Sequence, residues 1–211
     1  MKYMAWVRAL RFEHGAAEAT RLDYLTEVEH AAERIARLDR AIDAGVEVAP
    51  EKMRAVIAAL QTLRGIAKIS AATIVSELGE LSRFDRPQKL MGYSGAVSRE
   101  YSSGGRTWRG GITKTGNSHL RRIVVEAAWA YQHRPAVIGG LKKRQEGQSE
   151  AVKEIAWKAQ HRLCGRYRQL IAKGKSKPKV VTAVARELLG FIWSIGVTAE
   201  RAHEETKRST A

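Results

Sequence analysis

The residues best suited to chemistry lie between Gly92 and Asn117, GYSGAVSREYSSGGRTWRGGITKTGN. This stretch has seven glycines and four serines among 26 residues, with Arg99, Arg106, Arg109 and Lys114 set against a single acid, Glu100. Within it, Ser102-Ser103-Gly104-Gly105 offers a nucleophile. Glycine after serine lets the backbone approach a phosphate, and nearby guanidinium groups can hold the charge that builds up in phosphoryl transfer. A serine hydroxyl so placed can attack a phosphodiester and keep the broken strand as a phosphoseryl ester. Spacing alone also fits a routine turn. The competing chemistry, metal-based cleavage, needs converging carboxylates. The carboxylates of the basic part are scattered and the six histidines show no HExxH or paired-ligand spacing, so no metal ligand is assigned. The lone Cys164 excludes a disulfide scaffold and reads as a small buried apolar residue.

The charge distribution says what such a site would meet. The chain has 37 Lys and Arg against 22 Asp and Glu, a net +15, and the excess is confined: residues 1–60 carry a net −1 and residues 61–211 a net +16. From Arg134 to Arg186, 14 basic residues face only Glu146, Glu150 and Glu154. A phosphate backbone is the natural complement of that density, each neutralised phosphate releasing condensed counterions. No window approaches a membrane span of roughly 18 to 20 apolar residues, the greasiest running from Leu188 to Val197. The composition argues for an intracellular, polyanion-seeking protein.

The elements that must position the serines are mainly helical. Leu25, Val28, Ala32, Ile35 and Ile42 recur at three- and four-residue steps, predicting an amphipathic or coiled-coil helix over about 16–44, closed by Gly45 and Pro50. A second helix starts near Pro50; Gly65 turns the chain, and Ser70 is expected to cap a helix over 71–78. This helix, tight turn and helix can present backbone N–H groups at Gly65 and Lys68 to a phosphate. Asp85, followed by Pro87 and Gln88, predicts a further helix start. The glycine- and serine-rich stretch reads as a long loop, with a strand only near Ala96 to Tyr101; Tyr93, Tyr101 and Trp108 need burial or stacking. Asn117 or Ser118 caps a helix with Arg121 and Arg122 outside its apolar face. A helix from Ser149 to about Ala172 presents Lys153, Lys158, Arg162, Arg166 and Arg168 outward. A linker over 173–179 leads to a buried helix over 180–195, and the tail from Glu200 is expected to fray.

The block from Leu63 to Trp129, with its helix-hairpin-helix start, SRF junction, REYSSGG loop and ITKTGNSHLRR…EAAW, closely resembles the C-terminal domain of the insertion-sequence 110/116/902 transposases, relatives of the Piv-type DNA invertases. The resemblance implies DNA transposition or site-specific recombination by a bacterial, cytoplasmic and nucleoid-associated enzyme. It implies Ser103 as the nucleophile, with Ser102 the fallback, and Arg99, Arg106, Arg109 and Lys114 as phosphate-contacting neighbours. Ala67 stands where the family's hairpin has its second glycine. The expected organisation is a helical assembly segment (1–50), a transposase C-terminal domain (51–135) and a basic helical extension (136–211). Partners implied are DNA, an element-encoded guide RNA and further copies of the chain through the N-terminal helix. Mg²⁺ is expected only with a RuvC-like domain that this sequence lacks, so a truncated, non-autonomous transposase is the expectation. The alternative is a non-catalytic DNA- or RNA-binding module.

Overall fold

The predicted helical periodicity resolves into nine α-helices and one two-stranded sheet among the described residues. The computed structural model describes residues 2–103 and 105–210, with the side chains of residues 2, 107, 109 and 210 outside that description. The chain divides into two compact units, Met1–Val48 and Ala49–Ala211.

The first unit is α1 (Lys2–Ala9) and α2 (Gly15–Glu47). The long helix matches the periodicity of its sequence, yet it buries no residue, and Leu22, Val28 and Leu38 stand about half exposed. The turn from α1 into α2 is fixed by charge. Glu18 accepts from the Arg21 guanidinium at 2.6 and 3.0 Å and from the Phe12 amide at 3.1 Å. The Arg21 hydrogen bond holds the Glu18 carboxyl down at about 2 against a reference of 4.5; desolvation opposes it and the Phe12 amide assists.

The second unit is built around α9 (Lys177–Thr210), against which α3 (Glu51–Leu60), α5 (Pro87–Tyr93), α6 (Ser118–Ala128) and α8 (Glu150–Ala172) all pack. Val180, Val184, Leu188, Ile192 and Ile195, at helical spacing along α9, are completely buried. By length and composition α9 includes a segment apolar enough to cross a membrane, contrary to the sequence expectation, but 56% of it is buried within the protein. That apolar surface is used as a core. The expected linker before it shrinks to the turn between Ala172 and Lys177, and the expected frayed tail is helix. Its anchor is Glu200, only 2% exposed, whose carboxylate accepts from the Leu81 amide at 2.6 Å and the Ser82 amide at 2.9 Å at the start of a short 3-10 helix, Leu81–Arg83. One turn further, Glu204 meets Lys52 of α3 at 2.8 Å. These partners are more than a hundred residues away in sequence, which is why a polar tail looked unanchored.

Two helix starts also moved. α4 (Lys68–Leu78) has Ala67 as its N-cap, with the Ala71 amide bonded to the Ala67 carbonyl at 2.9 Å, so Ser70 lies inside the helix and does not cap it. The N-cap of α5 is Arg86, one residue after Asp85, because proline forces the residue before it into extended backbone; Arg86 has φ −156° and ψ 154°. Of Asn117 and Ser118 it is Asn117 that caps its helix, accepting from the Leu120 amide, and the helix expected from Ser149 is capped by that serine, which accepts from the Val152 amide.

Where a long loop with a strand only near Ala96 to Tyr101 was expected, β1 (Ser98–Ser103) and β2 (Arg106–Ile112) pair as an antiparallel hairpin. Its base is clamped to the helices. The Thr113 amide donates to Val97, the Lys114 amide to Gly95 and the Asn117 amide to Tyr93, at 2.9 to 3.1 Å. Gly95 (φ +67°) and Gly116 (φ +96°) allow this crossing: a Cβ on the first would strike the Thr115 carbonyl, and on the second the Tyr93 carbonyl. Asn117 completes the clamp by donating its side-chain amide to Glu77 of α4 at 2.6 Å while its Oδ1 caps α6 at 2.8 Å.

Glu200→Ala removes the acceptor of two backbone donors at a buried site and is expected to cost about 3 kcal/mol in urea unfolding, with Glu200→Gln costing about half of that. In the first unit, the stabilisation from ionised Glu18 is present above pH 4.5 and is lost as pH falls through about 2. An NMR titration is expected to show the Glu18 carboxyl and the Phe12 amide moving together with a midpoint near that lower value.

Candidate nucleic-acid interface

In the hairpin, Ser103 pairs with Arg106, Ser102 with Thr107, Tyr101 with Trp108 and Glu100 with Arg109, with a register irregularity near Arg99. Strand alternation therefore separates the two candidate serines. Ser103 shares its face with Tyr101, Trp108 and Arg106. Ser102 shares the other with Glu100, and its Oγ donates to the Glu100 carboxylate at 2.8 Å. Both serines are exposed at the end of the hairpin away from the helical body. The Arg109 side chain lies outside the described residues.

At the hairpin base the Arg99 guanidinium lies 3.4 Å from the Thr113 carbonyl. Arg99 and Lys114 line a groove of about 840 Å³ whose opposite wall is the turn from α8 into α9, with Lys175, Lys179 and Thr182; Gly110 and Gly111 of β2 also line it. Four cations from three parts of the sequence thus face one space. Lys114 takes a left-handed backbone, φ 60°, which is sparsely populated for a residue with a Cβ. Lys175 and Lys179 were read in the sequence only as part of a linker. Their alternation with small residues marked a charged segment, and nothing local to it pointed to Arg99.

The remaining predicted contacts are dispersed. Arg121 is half-buried and donates to the Ser94 carbonyl at 2.8 Å, tying α6 to the hairpin base. Arg122 is exposed on α6. Gly65, φ +84°, abuts the Ala127 carbonyl so closely that a Cβ would collide with it, which makes this turn a packing contact between α6 and the α3–α4 connection. Lys68 is half-buried at the first position of α4. Neither lines the groove. On α8, Arg162 and Arg166 share Glu187 of α9 at 2.8 and 3.2 Å, so part of that basic surface is partnered, whereas Lys158 meets Glu154, one turn earlier, at 3.6 Å.

Among the described residues no three His, Cys, Asp or Glu side chains converge as a metal-binding group. Glu77, the acid nearest the hairpin base, is already engaged by Asn117 and by His119 at 3.0 Å. The donor set does not fit a catalytic Mg²⁺ pair. Cys164 is buried, its thiol donates to the His133 carbonyl at 3.0 Å, and burial pushes its pKa up, which leaves it a packing residue.

Residues 57–139, from α3 to the start of α7 (Gly139–Gln145), match the family described as Transposase IS116/IS110/IS902. A Sinorhizobium fredii protein named as a transposase is 42% identical over 202 residues, 95% of this chain and 48% of that protein. The transposase for insertion sequence element IS1328 of Yersinia enterocolitica is 35% identical over 75 residues, 36% of this chain and 22% of its own length. That for IS1533 of Leptospira borgpetersenii is 26% identical over 178 residues, 83% of this chain and 50% of its own. The chain spans half or less of the length of each of these relatives. The matched region includes the clamp, both serines and the hairpin, and residues 57–139 of the chain belong to the IS116/IS110/IS902 family of transposases.

Proposed function

We propose that this chain is the DNA-handling and strand-joining part of an insertion-sequence transposase acting on DNA in the bacterial cytoplasm. The observation that carries the reading is the exposed hairpin: Ser103 paired with Arg106 at its far end, and Arg99 with Lys114, Lys175 and Lys179 in one groove at its base. Cations on both sides of an exposed hydroxyl suit a phosphodiester, whose backbone they would hold while the hydroxyl reacts. Ser103 is the first choice for the nucleophile and Ser102 the fallback. The serine Oγ bonds to phosphorus as the bridging ester oxygen departs. The hydroxyl proton passes to solvent, the departing oxygen takes up a proton, and the strand is stored as a phosphoserine ester that a second hydroxyl can resolve.

The Mg²⁺ implied by the family would be held by the acids of a RuvC-like domain; among the described residues no three His, Cys, Asp or Glu side chains converge. The element-encoded RNA is a second polyanion for the same basic surface. The exposed apolar positions of α2 support assembly with further copies of the chain.

The reading is tested by incubating the chain with end-labelled element-end DNA and Mg²⁺, adding a family transposase whose own nucleophilic serine is replaced by alanine as the source of the Mg²⁺-binding domain, and resolving covalent adducts on a denaturing gel. The expected outcome is an adduct that falls at least about a hundredfold in Ser103→Ala while DNA affinity stays within about twofold. An adduct lost only in Ser102→Ala assigns the reaction to that serine. DNA binding without any adduct from the wild-type chain would support the non-catalytic binding module instead.

A further inference from the structure

The hairpin face that carries Ser103 also carries two aromatic rings that the core does not use. Tyr101 is 61% exposed and Trp108 64%, and their ring centroids lie 5.6 Å apart at an interplanar angle of 45°. In the sequence these rings called for burial or stacking, and the fold does not bury them. Beside Trp108, Gly110 has no side chain: a Cβ there would lie 3.5 Å from the indole and 3.8 Å from the Arg99 Cβ, so the ring and the arginine stem border one open strip. From Arg99 to Ser103 the strand covers about 13 Å at the usual rise. That matches about four phosphates of a stacked strand at roughly 3.4 Å each. The strip thus runs from the basic groove, across two rings, to the serine. The one acid of the hairpin, Glu100, is on the opposite face with Ser102.

We infer that Tyr101 and Trp108 form a stacking platform for unpaired nucleotides, so that the strand led from the basic groove to Ser103 is held single-stranded. A paired duplex shields its base faces, whereas an unpaired base can lie on an exposed ring whatever its identity. Cations without rings would hold duplex and single strand by their phosphates alone. Rings without cations would fit an apolar partner. The combination, with Arg106 at one end of the ring pair and Arg99 with the groove lysines at the other, selects a polyanion that has aromatic faces to offer. The inference rests on the nucleic-acid-binding reading of this surface and adds the state of the strand.

The test uses the whole chain and fluorescence anisotropy with four labelled probes: a thymidylate dodecamer, its abasic counterpart, a DNA duplex of the same length and a uridylate dodecamer. Tyr101→Leu/Trp108→Leu is expected to weaken thymidylate binding by about tenfold or more, and the abasic strand and duplex by less than about twofold. Uridylate is expected to follow thymidylate; a loss on one of the two assigns the platform to that nucleic acid. Tyr101→Phe/Trp108→Phe, which keeps the rings, is expected to bind as the wild type does. Lys175→Ala/Lys179→Ala is expected to weaken all four probes alike and to flatten the salt dependence. Equal losses on thymidylate and its abasic counterpart, or no loss on either, would overturn the platform while leaving the binding surface intact. A wild-type chain that binds none of the probes would overturn the nucleic-acid reading itself.

Discussion

The placement of the hairpin depends on Asn117. A two-stranded ribbon with exposed residues on both faces has little apolar burial to hold it, and such ribbons are marginal alone. Here the backbone of Asn117 bonds to Tyr93 at the end of α5, its Oδ1 caps α6, and its amide reaches Glu77 on α4. One residue therefore joins three helices where the hairpin leaves and returns, and Gly95 and Gly116 permit the close crossing. The Arg121 bond to Ser94 reinforces it. The motif residues flanking the serines are thus largely accounted for by geometry, since they fix the base of an arm whose far end is free to meet a partner.

The helices that Asn117 joins are themselves ordered by α9. Its buried face supplies the apolar surface on which α3, α5, α6 and α8 converge, each fully buried leucine or isoleucine contributing on the order of 2 kcal/mol. Its first turn contributes Lys179 to the basic groove, and its last third locks the 3-10 helix through Glu200. The same helix thus connects the groove at one end with the closure of the core at the other, and the lysines at its start are positioned by packing many residues away.

Much of this was legible in the sequence, and the failures share a physical cause. Local signals held where local chemistry decides: Asn117 and Ser149 cap their helices, the periodicity over 16–44 gives α2, and Cys164 is buried. The strand expected near Ala96 to Tyr101 overlaps β1, but its partner β2 was read as loop because the seven glycines and four serines of residues 92–117 lower strand propensity, while bonds at the hairpin base hold it. Glu200 and the pair Lys175 and Lys179 were misjudged because their partners lie far along the chain: Leu81 and Ser82 for the glutamate, the hairpin base for the lysines. Only strand pairing shows that Ser102 and Ser103 face opposite ways, one toward Glu100 and one beside Arg106 and the aromatic pair.

The uneven charge of the chain acquires a definite location in this arrangement. Residues 1–60 are nearly neutral, and part of the excess of the remainder lies around the groove, the hairpin and the outer side of α8. In the proposed function nucleic acid is seated along the hairpin and the turn between α8 and α9. Hydrogen–deuterium exchange of the whole chain, with and without a saturating oligonucleotide, tests it most directly. The account predicts slowed exchange in residues 98–114 and 173–180, with α2 unchanged. Protection confined to α2, or to the outer face of α8 with the hairpin unaffected, would contradict it.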